Sequence, residues 1–469
     1  MKSWIVMGIK GKYQIDMCHG PLLGKIVRFT VPLMLTNALS LMFHAADLIV
    51  IGRFAPGEAM AAVGAAPAFT ILMLNLFFGI SSAVNVLVAR YTGAQDKQTL
   101  FHTLHTAVAI ACIGGLAMTV LGLVITKPVL QLMAVPPEIL DKASLYLWIW
   151  CLGIPFMVLY SFGSAILRSV GDTKRPLIYM TIAGVVNVVL NLFFVLVCKM
   201  DVAGVAIATK LSNVLAAVLV LRALRSCSPE YQIKWSKLHF HWPVLKEMLR
   251  IGVPAGVQGM LFSFSNVIIQ SSINSFGWQA IAGSTAALSI EGMIHTTFTA
   301  YALAVVSFVG QNHGARKYKR IMRSIYICLG GGIFMALSLT GICHIFKVPL
   351  LMIFNSDPEV IEFGLIRINY QLTFYFLLAI MEILNGSLRG LGYSFAPTIV
   401  TLMGACAFRV FWVFAIFPMN RCMESLMISY PVSWVLVSLV NGAMLFVICR
   451  KMLINASRRK FDDLTVKSK

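Results

Sequence analysis

Charge is what this chain has least of. Asp, Glu, Lys and Arg together make up 12% of its 469 residues, where a soluble protein carries about 25%. That scarcity excludes a water-soluble domain. Strict alternation of polar and apolar residues is also missing, which excludes a membrane β-barrel. The ten cysteines are scattered and form no Cys-x-x-Cys pair. They read as small core hydrophobes and not as a disulfide or metal framework. No Gly-Lys-Ser/Thr phosphate loop occurs, so transport driven directly by ATP within this chain is not expected. No His-Glu-x-x-His or Gly-x-Ser-x-Gly motif supports catalysis. No signal peptide is expected either: Trp4 to Ile9 is too short an apolar core, and Lys10 and Lys12 follow at once.

Long apolar runs fill the space instead. Hydrophobic residues make up 59% of the chain and the mean hydropathy is +0.83. A helical span needs about 20 apolar residues, and the runs predict an all-α polytopic membrane protein of about twelve helices. The expected spans are 26–52, 60–88, 102–126, 143–167, 177–198 and 203–224, then 249–275, 281–309, 324–346, 364–388, 397–418 and 428–449.

The two sets of six are copies of one unit. Leu167-Arg168-Ser169-Val170-Gly171 returns as Leu388-Arg389-Gly390-Leu391-Gly392, Gly93-Ala94 as Gly314-Ala315, and Pro137-Glu138 as Pro358-Glu359, each 221 residues on. Val31-Pro32 returns as Val253-Pro254 at an offset of 222. Unrelated coincidences would not share an offset. Duplicated membrane units are how many secondary transporters build a central site. The expected organisation is a lead-in at 1–25, a first lobe at 26–224, a linker at 225–248, a second lobe at 249–450 and a basic tail at 451–469.

The formal charge of +20 does not indicate nucleic acid. The cations gather in alternate short loops: Arg90 and Lys97, then Arg168, Lys174 and Arg175, then Arg316, Lys317, Lys319, Arg320 and Arg323. More lie in the linker and the tail. By the positive-inside rule both termini face the cytoplasm, across the inner (plasma) membrane. An even number of spans per copy returns the chain to the same side, so the repeats are parallel.

Ionisable groups inside spans are costly and mark function. Three carboxylates qualify, Asp47, Glu291 and Glu382, with Arg409 as the clearest buried cation. Lys210 lies near the outer start of the sixth span, where its stem could snorkel to water. Asp47 would bind a proton or a sodium ion. His44, three residues earlier on the same face, is a candidate proton relay, and a local hydrogen bond is the plainer use of it. Asn187 and Asn191 share one helix face, and Thr209 follows in the sixth span. Their oxygens are hard ligands for a small cation, and the same residue types also join membrane helices by hydrogen bonds. Arg409 needs a partner; Glu382 and Glu291 are available, with Glu382 favoured. Glu291, Glu382 and Arg409 are expected to form a charged network in the second lobe that shapes substrate contact or gating.

These residues resemble the multidrug and toxic compound extrusion (MATE) family, within a superfamily that also holds polysaccharide and lipid-linked precursor flippases. The resemblance runs from about Gly24 to Met452. It is carried by Val31-Pro32, Ala46-Asp47 with Gly52, Leu167 to Lys174, Asn187 to Asn191, Gly204 to Thr209, Gly310 to Ala315 and Leu388 to Gly390. It implies two six-helix lobes around a V-shaped cavity open alternately to each side. It also implies antiport of amphipathic, often cationic small molecules against sodium ions or protons, with no other cofactor and a functional monomer in membrane lipid. The family's first-span aspartate carries over to Asp47, its fifth-span asparagine to Asn187 and its sixth-span threonine to Thr209. Many members have an aspartate where this chain has Asn191, leaving Asp47 as the only carboxylate of the first-lobe site. The competing readings are a flippase for a lipid-linked or polysaccharide precursor and, from a different class, a membrane-embedded enzyme.

Overall fold

The computed structural model describes residues 13–54, 63, 66–133, 135–227 and 231–467. The expected lead-in before residue 13, the start of the second span at 60–62 and part of the linker lie outside the described residues. Among those described there is no strand. Helices α1 (Leu22–Phe54), α2 (Pro67–Ala94), α3 (Lys97–Leu132), α4 (Pro137–Leu152 and Ile154–Ser169), α5 (Lys174–Leu192) and α6 (Asp201–Arg225) form the first set. The second set is α7 (Trp242–Asn274), α8 (Trp278–Gly314), α9 (Tyr318–Ile345), α10 (Pro358–Tyr370 and Tyr375–Gly390), α11 (Phe395–Thr401 and onward to Met419) and α12 (Met423–Lys467). Eleven described helices are long and apolar enough to cross a membrane, and α4 becomes the twelfth when its two halves count as one span bent by 45°. The bend falls at Gly153, and Pro155 sits in the first turn of the second half, where its missing N–H costs nothing.

The repeat read from the letters is present in the backbone. Gly171 and Gly392 both take positive φ, 93° and 90°. In each corner the glycine N–H donates to the third residue back, Arg168 at 3.0 Å and Arg389 at 2.8 Å. The next N–H reaches Leu167 or Leu388, at 2.8 and 2.9 Å, closing each helix with a left-handed C-terminal cap. Gln95 and Arg316, also 221 apart, both adopt the left-handed conformation at 58° and 56°. Pro137 and Pro358 each open a helix at its first position. Pro32 and Pro254 lie inside α1 and α7.

The chain divides into two compact units, one of residues 1–16 and 31–257, the other of 17–30 and 258–469. In the first, glycines let helices approach closely. A Cβ on Gly115 would lie 2.8 Å from the Pro155 backbone. In the second, apolar side chains of α8, α10, α11 and α12 pack around Trp434. Phe298, Tyr375 and Trp434 meet edge to face, with centroids 5.8 and 5.7 Å apart, a favoured aromatic geometry.

Candidate functional site

In the first unit, α1 is seated on α5 by a missing side chain. A Cβ on Gly184 would lie 1.8 Å from the Phe43 ring, so only glycine admits it. Phe43 is one helical turn before Asp47 on the same face. Asn187 and Asn191 lie further along α5, four residues apart, and both are buried. Thr209 comes from α6.

The structure brings Asp47, Asn187, Asn191 and Thr209 together. Asn191 Nδ2 donates to Asp47 Oδ1 and lies 3.5 Å from Asn187 Oδ1. Asn187 Nδ2 donates to Thr209 Oγ1 at 3.3 Å. The Thr209 hydroxyl is 2.9 Å from the Val205 carbonyl and 3.4 Å from Asp47 Oδ2. A hydroxyl has one proton. When it goes to the nearer Val205 carbonyl, Thr209 Oγ1 and Asp47 Oδ2 face each other as bare oxygens. Among the described residues, Asn191 Oδ1 is buried with no hydrogen-bond partner. The cluster therefore holds more lone pairs than protons, the condition a small cation or a proton satisfies.

His44 is exposed on α1 and within electrostatic reach of Asp47. Two residues that sequence reasoning did not place here also lie within electrostatic reach of the carboxylate: Tyr146 of α4 and Lys210 of α6. Lys210 is 9% exposed, so it does not snorkel as expected.

The second unit corrects one expectation. Arg409 is fully buried, yet it pairs with neither Glu382 nor Glu291. Its Nε donates to Ser433 Oγ at 3.0 Å and Nη1 to Asn266 Oδ1 at 3.4 Å. The guanidinium lies between aromatic faces, 4.3 Å from the Tyr430 centroid and 5.0 Å from that of Phe262. Cation–π contact and neutral oxygens take the place of a carboxylate. Glu291 is taken by Arg367, through a bidentate pair at 2.9 and 3.0 Å. Gln371 donates to Glu291 at 3.0 Å, and Arg367 also donates to Ser284 at 2.8 Å. Glu382 is half-buried on α10, within electrostatic reach of His295 and Arg389. Of the three residues expected as one network, Arg409 thus stands apart from both acids, while His295 lies within electrostatic reach of Glu382 and Glu291 alike. Arg367 escaped notice because it falls near the start of the expected tenth span, where a cation looks like a solvated end. Its spacing of four from Gln371 was the available signal.

Comparison with known proteins gives the chain its relatives. The MatE family model matches residues 32–193 and 254–414. The probable multidrug resistance protein YpnP of Bacillus subtilis is 27% identical over 85% of this chain and 88% of its own length. A FAD transporter of Shewanella oneidensis is 24% identical over 73% of this chain and 78% of its own. Among solved structures, a MOP superfamily transporter from Pyrococcus furiosus, described as having a binding pocket of reverse polarity, superposes with a TM-score of 0.88 at 20% identity. That match covers 94% of this chain and 99% of the other.

Proposed function

The chain belongs to the MatE family, its relatives are named as multidrug resistance or export proteins and as a FAD transporter, and we propose that it exports amphipathic, cationic small molecules in exchange for sodium ions or protons. The observation that carries this reading is the surplus of lone pairs around Asp47. A cation bound among Asp47, Asn187, Asn191 and Thr209 neutralises a carboxylate that is expensive to hold inside a membrane. Because these ligands come from α1, α5 and α6, binding draws the three helices together and repacks α1. In the outward-facing protein that change releases cargo. The loaded carrier returns, the cation leaves inward, and new cargo enters. A ligand drives such a cycle only through its different affinity for the two states. The second unit contributes cargo contact and gating through Glu382 and Arg409, with Glu291 and Arg367 as the bolt that holds α8 to α10. The protein acts as a monomer in the inner membrane with both termini in the cytoplasm, as its basic loops favour.

The test is efflux of a fluorescent cationic dye from proteoliposomes, with sodium and proton gradients imposed separately. One gradient is expected to drive efflux, and Asp47→Asn to reduce it to the protein-free background. Full gradient-driven export by Asp47→Asn would refute the assignment. A second reading, an anionic or lipid-linked cargo, is favoured by Arg409, a buried cation with no carboxylate on it. It gains if neither gradient moves the dye.

A further inference from the structure

We infer that the linker between α6 and α7 is fastened to α3 by a proton-sensitive latch built on His102, His105 and His239, closed while these rings are neutral and opened by acid. The inference stands apart from the Asp47 site and from the identity of the coupling ion.

The latch joins one face of α3 to a short stretch of linker. His102, His105 and Thr106 are three and four residues apart and so share that face. His105 and Thr106 are fully buried. The Lys234 backbone N–H donates to His105 Nε2 at 3.1 Å. His102 Nδ1 and His239 Nε2 lie 3.1 Å apart. The His241 backbone N–H donates to Thr106 Oγ1 at 3.2 Å. The His241 ring stacks on His102, with centroids 4.2 Å apart and planes 15° from parallel.

These contacts fix where protons can sit. His105 Nε2 is an acceptor and carries none. Its one proton is on Nδ1, 2.8 Å from the Phe101 carbonyl. Both nitrogens of a neutral ring are thus in use, and a second proton has to displace the linker amide. His239 Nδ1 donates to the Lys237 carbonyl at 2.8 Å, which leaves its Nε2 to meet His102. Of the two facing nitrogens one must be bare, so at least one ring of the pair is neutral. Charging both sets N–H against N–H. Closure therefore forbids two protons, one at His105 and one at the pair, that the same rings accept when apart.

The titratable and charged groups that face His102 and His105 are each other, His239, His241 and Lys234. None of them is an acid. The acids nearest in sequence have other partners: Asp96 caps α3 through the Thr99 N–H, and Glu247 holds Arg90 and Tyr91 of α2. Among the described residues no three His, Cys, Asp or Glu side chains converge as metal ligands would. The ligand this cluster answers to is the proton.

Free histidine titrates at about pH 6.5. Above that value the latch holds residues 234–241 on α3. As pH falls below it, the released linker takes up the forbidden protons and closure loses its advantage.

The experiment is hydrogen exchange of the purified full-length protein, read on the amides of residues 231–241 and corrected for the chemical exchange rate at each pH. Between about pH 7.5 and 5.5, protection is expected to fall about tenfold for each forbidden proton, about a hundredfold in all. His239→Gln keeps an acceptor for His102 and does not titrate, so its fall shrinks to about tenfold. Adding His105→Gln, whose amide oxygen accepts from Lys234, makes protection independent of pH. Protection that does not change with pH in the unmodified protein overturns the inference, as does an undiminished fall in His239→Gln. A fall shared equally by α3 to α6 is unfolding of the bundle and overturns it too. Should the double variant fold poorly, His239→Gln alone decides, since that side chain is exposed.

Discussion

Asp47 and Glu291 are both carboxylates set inside apolar helices, and their surroundings differ in one respect that decides their use. Glu291 is met by an arginine fork, a glutamine amide and, at 3.5 Å, the Tyr375 hydroxyl. Four donors reach the carboxylate, one on Oε1 and three on Oε2, and the charge has a fixed partner. Asp47 is met by amides and a hydroxyl whose proton has a better place to go. A saturated acid holds helices together, and an under-supplied acid binds something that comes and goes. Burial alone does not separate the two cases, since the fully enclosed acid is the structural one.

The sharpest way to break that comparison is to remove the donors' reason for being there. Glu291→Gln leaves Arg367 buried without its partner. It is expected to destabilise the fold by about 3–5 kcal/mol, read as a lowered unfolding temperature in detergent. Glu291→Gln combined with Arg367→Met should recover most of that loss. If Glu291→Gln instead folds normally and loses cation dependence, the two acids have exchanged roles. A smaller effect is expected from Asn191→Asp, which adds a second negative charge beside Asp47. The cation concentration for half-maximal efflux should fall several-fold, and the number of cations moved per dye should rise, measured as a flux ratio. The smallest effect tests the dissolved network. Arg409 and Glu382 do not meet, so the stability losses of Arg409→Gln and Glu382→Gln should add within about 0.5 kcal/mol. A large coupling energy would restore the pair.

Much of this was legible in the letters. Eleven or twelve apolar helices and the duplication follow from apolar run length and a constant offset, and both survive in the backbone; the resemblance picks out Asp47, Asn187 and Thr209, and their side chains meet together with that of Asn191. The partner of Arg409 was not legible, for a geometric reason. Subtracting 221 sets Arg409 opposite Val188, between Asn187 and Asn191 of α5, which fixes its face only if both helices wind alike. In α11 a wide π turn, Leu402–Ala407, comes just before Arg409, and another, Trp412–Ile416, just after. In α5 the winding stays regular through Asn187 and Asn191, and its π turn comes later, at Phe193–Val197. A π turn inserts a residue and rotates everything after it, so the face that Arg409 presents is not the face its offset names. Such turns have no simple letter code. Nor does the choice between Arg367 and Arg409, which depends on how α10 packs against α8.

The corners at Gly171 and Gly392 deserve a last comparison. One is spelled Ser169-Val170-Gly171-Asp172-Thr173 and the other Gly390-Leu391-Gly392-Tyr393-Ser394, yet their hydrogen bonds superimpose. Only the left-handed glycine is shared between the two spellings. The grammar of this molecule is carried by its punctuation, which leaves the vocabulary of each half free to diverge.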